Sequence, residues 1–342
     1  MIEVDGSKGE GGGQMLRTAL ALSALTGQET RVFDIRAGRP NPGMQAQHKC
    51  AVEGVAMICG AEVRGVEVGS TELRFSPGKV RGGSYRLSVG TAGSITLVLQ
   101  ACLLASARCP DPMRFEISGG TNVRWSPPID FYQGVLFPQL QRLGLDVELR
   151  EMCRGFYPEG GGSATVTSLA PERMLPMECL DRGPLQEIEG RAFAQNLPEH
   201  IPQRMGAAVR KTFLMEKVTI ASERSQGASA GAGIFLMATY QDALLSGDAL
   251  GERGVPAERV GEAASEVLRQ EMVSSSTIDA HAADQLLPFM ALAEGRSSFV
   301  VKEITGHLST QAELLRLFLG SRVDFEQTSK GAKVEVRPHP YM

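Results

Sequence analysis

Three times along the chain the same punctuation recurs: a periodic apolar helix pattern, a glycine that closes it, then a short alternating run. The glycines are Gly60 before AEVRGVEV, Gly144 before LDVELR and Gly320 before SRVDFEQ. Glycine best accepts the left-handed turn at a helix end, and the period-two alternation after it suits a half-buried strand. About thirty residues upstream of each of these helices lies another, starting near Gln14, Ser94 and Ala282. The chain is therefore predicted to be α/β (α+β), with three repeated units of two strands and two helices plus extra strands.

The spacing is uneven. From Gly144 to Gly320 the interval is roughly twice that from Gly60 to Gly144, so about ninety residues are inserted in the third unit. The insert is placed at 182–276, Arg182 to Ser276, leaving 1–181 and 277–342 as the large domain. Within it QEIEGRAFA and GIFLMATY read as strands, the second nearly all apolar and so central, while EHIPQRMGAAVRKTFLMEK and PAERVGEAASEVLRQEM read as helices. SERSQGASAGAG (222–233) reads as a mobile loop and SGDALGERGVP (246–256) as a turn-rich connection.

Composition narrows the function classes. The chain has 342 residues, 42% of them hydrophobic, enough to bury a sizeable core. A formal charge of −4 argues against a broad basic surface that coats nucleic acid, so any such partner is met locally. The six cysteines form no C-x-x-C pair and have no histidine at metal spacing, so neither a zinc site nor a disulfide framework is indicated, and a reducing interior is expected. The longest apolar run, ITLVLQACLLASA (95–107), is too short for a bilayer, and the chain reads as cytoplasmic, with no membrane partner.

Chemistry concentrates in a few segments. In GSKGEGGGQMLRTALALSALTG, Gly11, Gly12 and Gly13 feed a helix. Backbone N–H groups and the positive end of its dipole then suit an anion; the alternative is a flexible turn before a core helix. Arg17, one turn after Gln14, can reach back to that mouth or stand exposed. Glu10 can pair with Lys8 or hold a divalent cation bridging to phosphates. Arg36 and Arg39, ahead of a helix bearing Gln47 and His48, can clamp phosphate oxygens or be solvated. Thr310 and Glu313 form a T-x-x-E capping box, which sets His307 about one turn ahead of a helix, neutral and able to act as a nucleophile, unless it only fills a turn. In SGGTNVRWSPPIDF, Pro127 and Pro128 open a helix with Pro at the first position, and a proline face can pack against a base. His281, Asp284 and Gln285 start another helix, where Asp284 and Gln285 read a base edge or cap. GFYPEGGGSATV leads into a strand, so its glycines read as a tight turn.

Taken together, GEGGGQMLR, RAGRPNPG with QAQHK, VGTAGSITLVLQ, SGGTNVRWSPPIDF, GFYPEGGG, ADQLLPFMALA and GHLSTQ resemble the RNA 3′-terminal phosphate cyclases, in order and over the whole chain. The resemblance implies a three-unit large domain related to the enolpyruvyl transferases, with a small domain inserted in the third unit. It implies a ligase-type enzyme that turns an RNA 3′-phosphate into a 2′,3′-cyclic phosphodiester with ATP and a divalent cation, magnesium or manganese. By the same resemblance His307 is the adenylated nucleophile and Glu10 the metal-linked carboxylate. Arg17, Arg36, Arg39 and Gln47 contact the triphosphate, and Pro127, Pro128, Asp284 and Gln285 form the adenine pocket. Many members carry a tyrosine where this chain has His281. Two other readings share the fold: a non-catalytic relative acting in ribosome assembly, which lacks the histidine kept here at 307, and an enolpyruvyl transferase, which needs neither that histidine nor the insert. The natural RNA and the oligomeric state are left open.

Overall fold

The computed structural model describes residues 1–9, 12–329 and 331–339. The first unit runs β1 (Ile2–Asp5), α1 (Gly13–Thr26), β2 (Thr30–Phe33), α2 (Ala46–Cys59), β3 (Glu62–Arg64) and β4 (Leu73–Ser76). The second runs β5 (Gly83–Ser88), α3 (Ile95–Ala105), β6 (Met113–Gly119), α4 (Ile129–Phe131), a π turn (Tyr132–Leu136), α5 (Phe137–Arg142), β7 (Asp146–Cys153) and β8 (Gly162–Leu169). The third opens with β9 (Glu178–Cys179). It is interrupted by β10 (Leu185–Gln195), α6 (His200–Thr212), β11 (Val218–Ser225), β12 (Gly231–Tyr240), β13 (Leu244–Leu250) and α7 (Ala257–Val273). It then resumes with α8 (Ala280–Met290), β14 (Ser297–Val301), α9 (Gly306–Leu319), β15 (Arg322–Thr328) and β16 (Gly331–Arg337).

The repeat is visible in the strand order. The sheets run β1-β2-β4-β3, β5-β6-β8-β7 and β9-β14-β16-β15. In each, the first pair is parallel and the other two antiparallel. A parallel pair needs a crossover, and α1, α3 and α8 supply it, as the helix pattern upstream of each glycine required. The glycines stop their units as expected: Gly60, Gly144 and Gly320 have φ of 63°, 94° and 66°. Helices α1, α2, α3, α8 and α9 pack together in the middle of the large domain. Helix α3 is apolar nearly all round and buried along its length, as a central helix must be. Among the described residues no helix is long and apolar enough to cross a membrane, and the six cysteines are free thiols, Cys153 alone exposed.

A fourth sheet, β11-β10-β12-β13, and helices α6 and α7 lie wholly between residues 182 and 276. Strand β12 is central, paired on both sides, because alternate faces of a nearly all-apolar strand must both be covered. One side chain fastens both ends of this segment: Arg182 donates to the carbonyls of Met272 at 2.6 Å and Ser276 at 3.3 Å, and lies over the Tyr240 ring.

Several local expectations fail. Ser222–Ser225 and Gly231–Gly233 belong to β11 and β12, and Ser246–Leu250 to β13, so neither segment is a loop throughout. Small residues there allow strands to approach: Gly233 packs on Phe193 and Gly247 on the α7 backbone. Helix α6 ends at Thr212, earlier than its pattern suggested, and Leu214 and Met215 after it are exposed. Pro128 is the cap residue of α4, not its first residue, because its ψ of 161° is extended. Helix α9 starts at Gly306, capped by Thr305, whose hydroxyl accepts the Leu308 N–H at 2.9 Å. The expected cap at Thr310 is wrong: that residue lies inside the helix, buried against Gly9. His307 thus sits in the first turn of α9, not a turn ahead of it.

Candidate functional site

The glycine-rich entry to α1 is the hub of the site. Its cap residue is Gly12, which has no side chain to satisfy the first-turn N–H groups, an arrangement suited to an anion. A Cβ at Gly9 would strike the Thr310 hydroxyl of α9, and one at Gly12 would lie 3.1 Å from Arg39 Nη2. A Cβ at Gly13 would collide with His48 Nε2 and lie 2.9 Å from Arg17 Nη1. Only glycine lets this turn touch α9, the Arg39 loop and the start of α2 at once. Thr310, Arg39, His48 and Arg17, far apart in sequence, thereby meet one glycine-rich stretch of backbone. Glu10 and Gly11 lie outside the described residues.

The electrostatics of this hub favour anions. Arg17 is 7% exposed, and it forms no ion pair among the described residues. Burial pulls its guanidinium down to about 10, so it remains charged at neutral pH. Its Nε has no hydrogen-bond partner among the described residues, nor has Gln14 Oε1 on the same turn. A buried cation without a counter-charge is unfavourable unless an anion completes it. His48 is neutral for a related reason: burial, then the charges of Arg17 and Arg36, push it down to about 3. Its Nδ1 accepts the Gln45 N–H at 3.1 Å, which leaves the proton on Nε2, the atom that faces Gly13. His48 was visible in the sequence beside Gln47, but its reciprocal cap with Gln45 follows no familiar capping pattern.

The remaining candidates fall into two groups. Around the anion site, Gln47 Oε1 accepts the Ser94 N–H at 3.0 Å, tying α2 to the start of α3. Arg36, at a φ of 58°, donates to the Gly43 carbonyl at 2.9 Å and so also holds its own loop closed. Arg39 is exposed. Near α8, Asp284 accepts the hydroxyl of Thr305 at 2.9 Å, and its carbonyl accepts from Gln311 at 3.1 Å. Asp284 therefore buttresses the first turn that carries His307. Gln285 is buried, with Oε1 unpartnered among the described residues. His281 is exposed and meets the ring of Phe131 edge-on at 6.4 Å, which brings the start of α8 against the helix that Pro128 caps. The Pro127 carbonyl accepts from Thr96 at 2.9 Å.

Among the described residues no group of three or more His, Cys, Asp or Glu could hold a metal ion. A surface cavity lined by Arg108, Glu172, Arg173, Glu294 and His339 among others contains none of the candidate residues.

A three-unit α/β fold here brings a helix mouth capped by glycine against a buried guanidinium with no ion pair among the described residues and a neutral imidazole. The model of the family described as RNA 3′-terminal phosphate cyclase matches residues 8–325. Proteins named RNA 3′-terminal phosphate cyclase from Methanopyrus kandleri, Archaeoglobus fulgidus and Nitrosospira multiformis are each 43% identical to this chain. The alignments cover 99%, 95% and 99% of this chain and 99%, 98% and 97% of those proteins, respectively. The chain belongs to the RNA 3′-terminal phosphate cyclase family. A solved enolpyruvyl transferase, NikO from Streptomyces tendae, aligns at 10% identity with a TM-score of 0.27, covering 99% of this chain and 65% of that one, too weak a likeness to relate the folds.

Proposed function

We propose that this chain converts the 3′-terminal phosphate of an RNA to a 2′,3′-cyclic phosphodiester, consuming ATP through a histidine–AMP intermediate on His307. Family membership supports the overall reaction, and Arg17, buried without an ion pair among the described residues beside the glycine-capped mouth of α1, is the observation that supports a polyphosphate there. In the first step an imidazole nitrogen of His307 bonds to the α-phosphorus of ATP as the bond to pyrophosphate breaks. Arg17, Arg39 and the His48 Nε2 proton meet the departing charge, and the first-turn position of His307 favours a neutral, nucleophilic ring. Glu10 would help to hold a divalent cation, which when bound would further neutralise the phosphates. An oxygen of the RNA 3′-phosphate then displaces the imidazole from phosphorus, giving an RNA–adenylate. Finally the 2′-hydroxyl attacks the RNA phosphorus, loses its proton and expels AMP; nucleophile and electrophile share one ribose, so positioning alone accelerates this step greatly.

Incubation with α-labelled ATP tests the proposal. Wild type takes up label on histidine in an acid-labile bond, and His307→Ala and His307→Asn take up none while melting normally. Label retained in either variant removes His307 from the role.

A further inference from the structure

Trp125 is the only tryptophan of the chain, and it is 94% exposed. Indoles are ordinarily among the most covered side chains, so full display needs a reason. Its backbone is also in the left-handed region, at a φ of 67°, which a bulky residue adopts only when its surroundings impose it. The surroundings do. Asn122 is buried and donates to Asp130 at 3.1 Å; Ser126 donates to the Val123 carbonyl at 3.1 Å; the Pro127 carbonyl is held by Thr96. Arg124 pairs with Glu252 of the inserted segment at 2.6 Å. The turn is braced on every side, and what it presents to solvent is one indole face.

Its place in the fold says what the face is for. Two residues on is the Pro127–Pro128 turn of the nucleotide region. The N–H groups of Thr121 and Asn122 donate to the Gly155 carbonyl, at the base of the loop that carries Tyr157, itself 79% exposed. A net charge of −4 argues against a broad basic surface to hold a polyanion. Stacking on an aromatic face is indifferent to net charge and to base identity, and suits a strand end whose bases are unstacked. Resting on the cyclase reading, we propose that Trp125 is a stacking platform for a base of the RNA strand just upstream of its 3′-phosphate.

The single tryptophan is its own probe. Titrating the full chain, without ATP, with a single-stranded oligoribonucleotide ending in a 3′-phosphate is expected to quench its fluorescence saturably. Trp125→Ala is expected to raise the KM for that oligonucleotide by about fivefold to a hundredfold, with kcat little changed, and Trp125→Phe to recover most of the loss. No quenching by RNA with an unaltered KM overturns the proposal, as does equal quenching by ATP alone, which would assign the indole to the nucleotide. Because the titration involves no chemistry, failure of wild type to label with ATP would sink the cyclase reading and leave the quenching result to stand or fall by itself.

Discussion

Arg154 grips Glu223 with both arms of its guanidinium, Nε at 2.7 Å and Nη2 at 2.9 Å, across the boundary between the second unit and the inserted segment. The same guanidinium holds Asp130 at 2.8 and 2.9 Å and lies 3.9 Å over the ring of Phe193. Burial works against ionisation of Asp130, but Arg154 outweighs it and holds the carboxyl below its usual range. The carboxylates differ in cover: the Asp130 side chain is 3% exposed and that of Glu223 35%. Asp130→Ala is therefore expected to lower unfolding stability by about 3–5 kcal/mol, and Glu223→Ala by only about 1 kcal/mol, since water replaces part of what is lost. Urea denaturation measures both; equal losses would mean that the junction, not Asp130, carries the stability.

Arg17 presents the opposite case, a buried charge retained at the expense of stability. Arg17→Met keeps the aliphatic bulk and removes the buried cation, so the free protein is expected to gain on the order of 1 kcal/mol while ATP labelling falls by at least tenfold. Pyrophosphate should raise the melting temperature of wild type and not of the variant. A variant that melts lower than wild type would show that Arg17 is structural.

His48 makes stability depend on pH. Unfolded, it takes a proton near pH 6.5; folded, only at about 3, so the unfolded chain binds more protons in between. The His48 contribution is complete above pH 6.5 and is lost as the pH falls toward 3, with a slope approaching about 1.4 kcal/mol per pH unit. His48→Gln is expected to flatten unfolding free energy between pH 6.5 and 5. An unchanged slope would mean that the ring is protonated in the folded state.

His281 meets Phe131 edge-on and is exposed at the start of α8. A tyrosine there offers a larger face beside the Pro127–Pro128 turn, and His281→Tyr is expected to tighten ATP binding by about threefold to tenfold. Calorimetric titration decides it, and weaker binding would move the adenine elsewhere.

How much of this was legible beforehand depended on the range of the interactions involved. The three glycines announced three units because a left-handed helix end is a local need that any observer of the chain can read. The interruption of the third unit followed from spacing alone. Strand β13 was hidden because SGDAL carries turn-forming residues whose small size serves close packing on α7, a tertiary reason. The start of α9 was misplaced because two threonines, Thr305 and Thr310, each resemble a cap, and only packing of Thr310 against Gly9 decides between them.

The sequence by itself determined the fold class, the family resemblance and the kinds of residue the chemistry requires, since periodicity, turn residues and motif order are properties of neighbours along the chain. Tertiary structure alone decided that Arg17 is buried without an ion pair among the described residues, that His48 is neutral with its proton facing Gly13, that Asp284 supports the His307 turn and that Trp125 stands in solvent. Each of these is set by burial and by contacts between residues distant in sequence, and desolvation and Coulomb terms have no value until those distances exist.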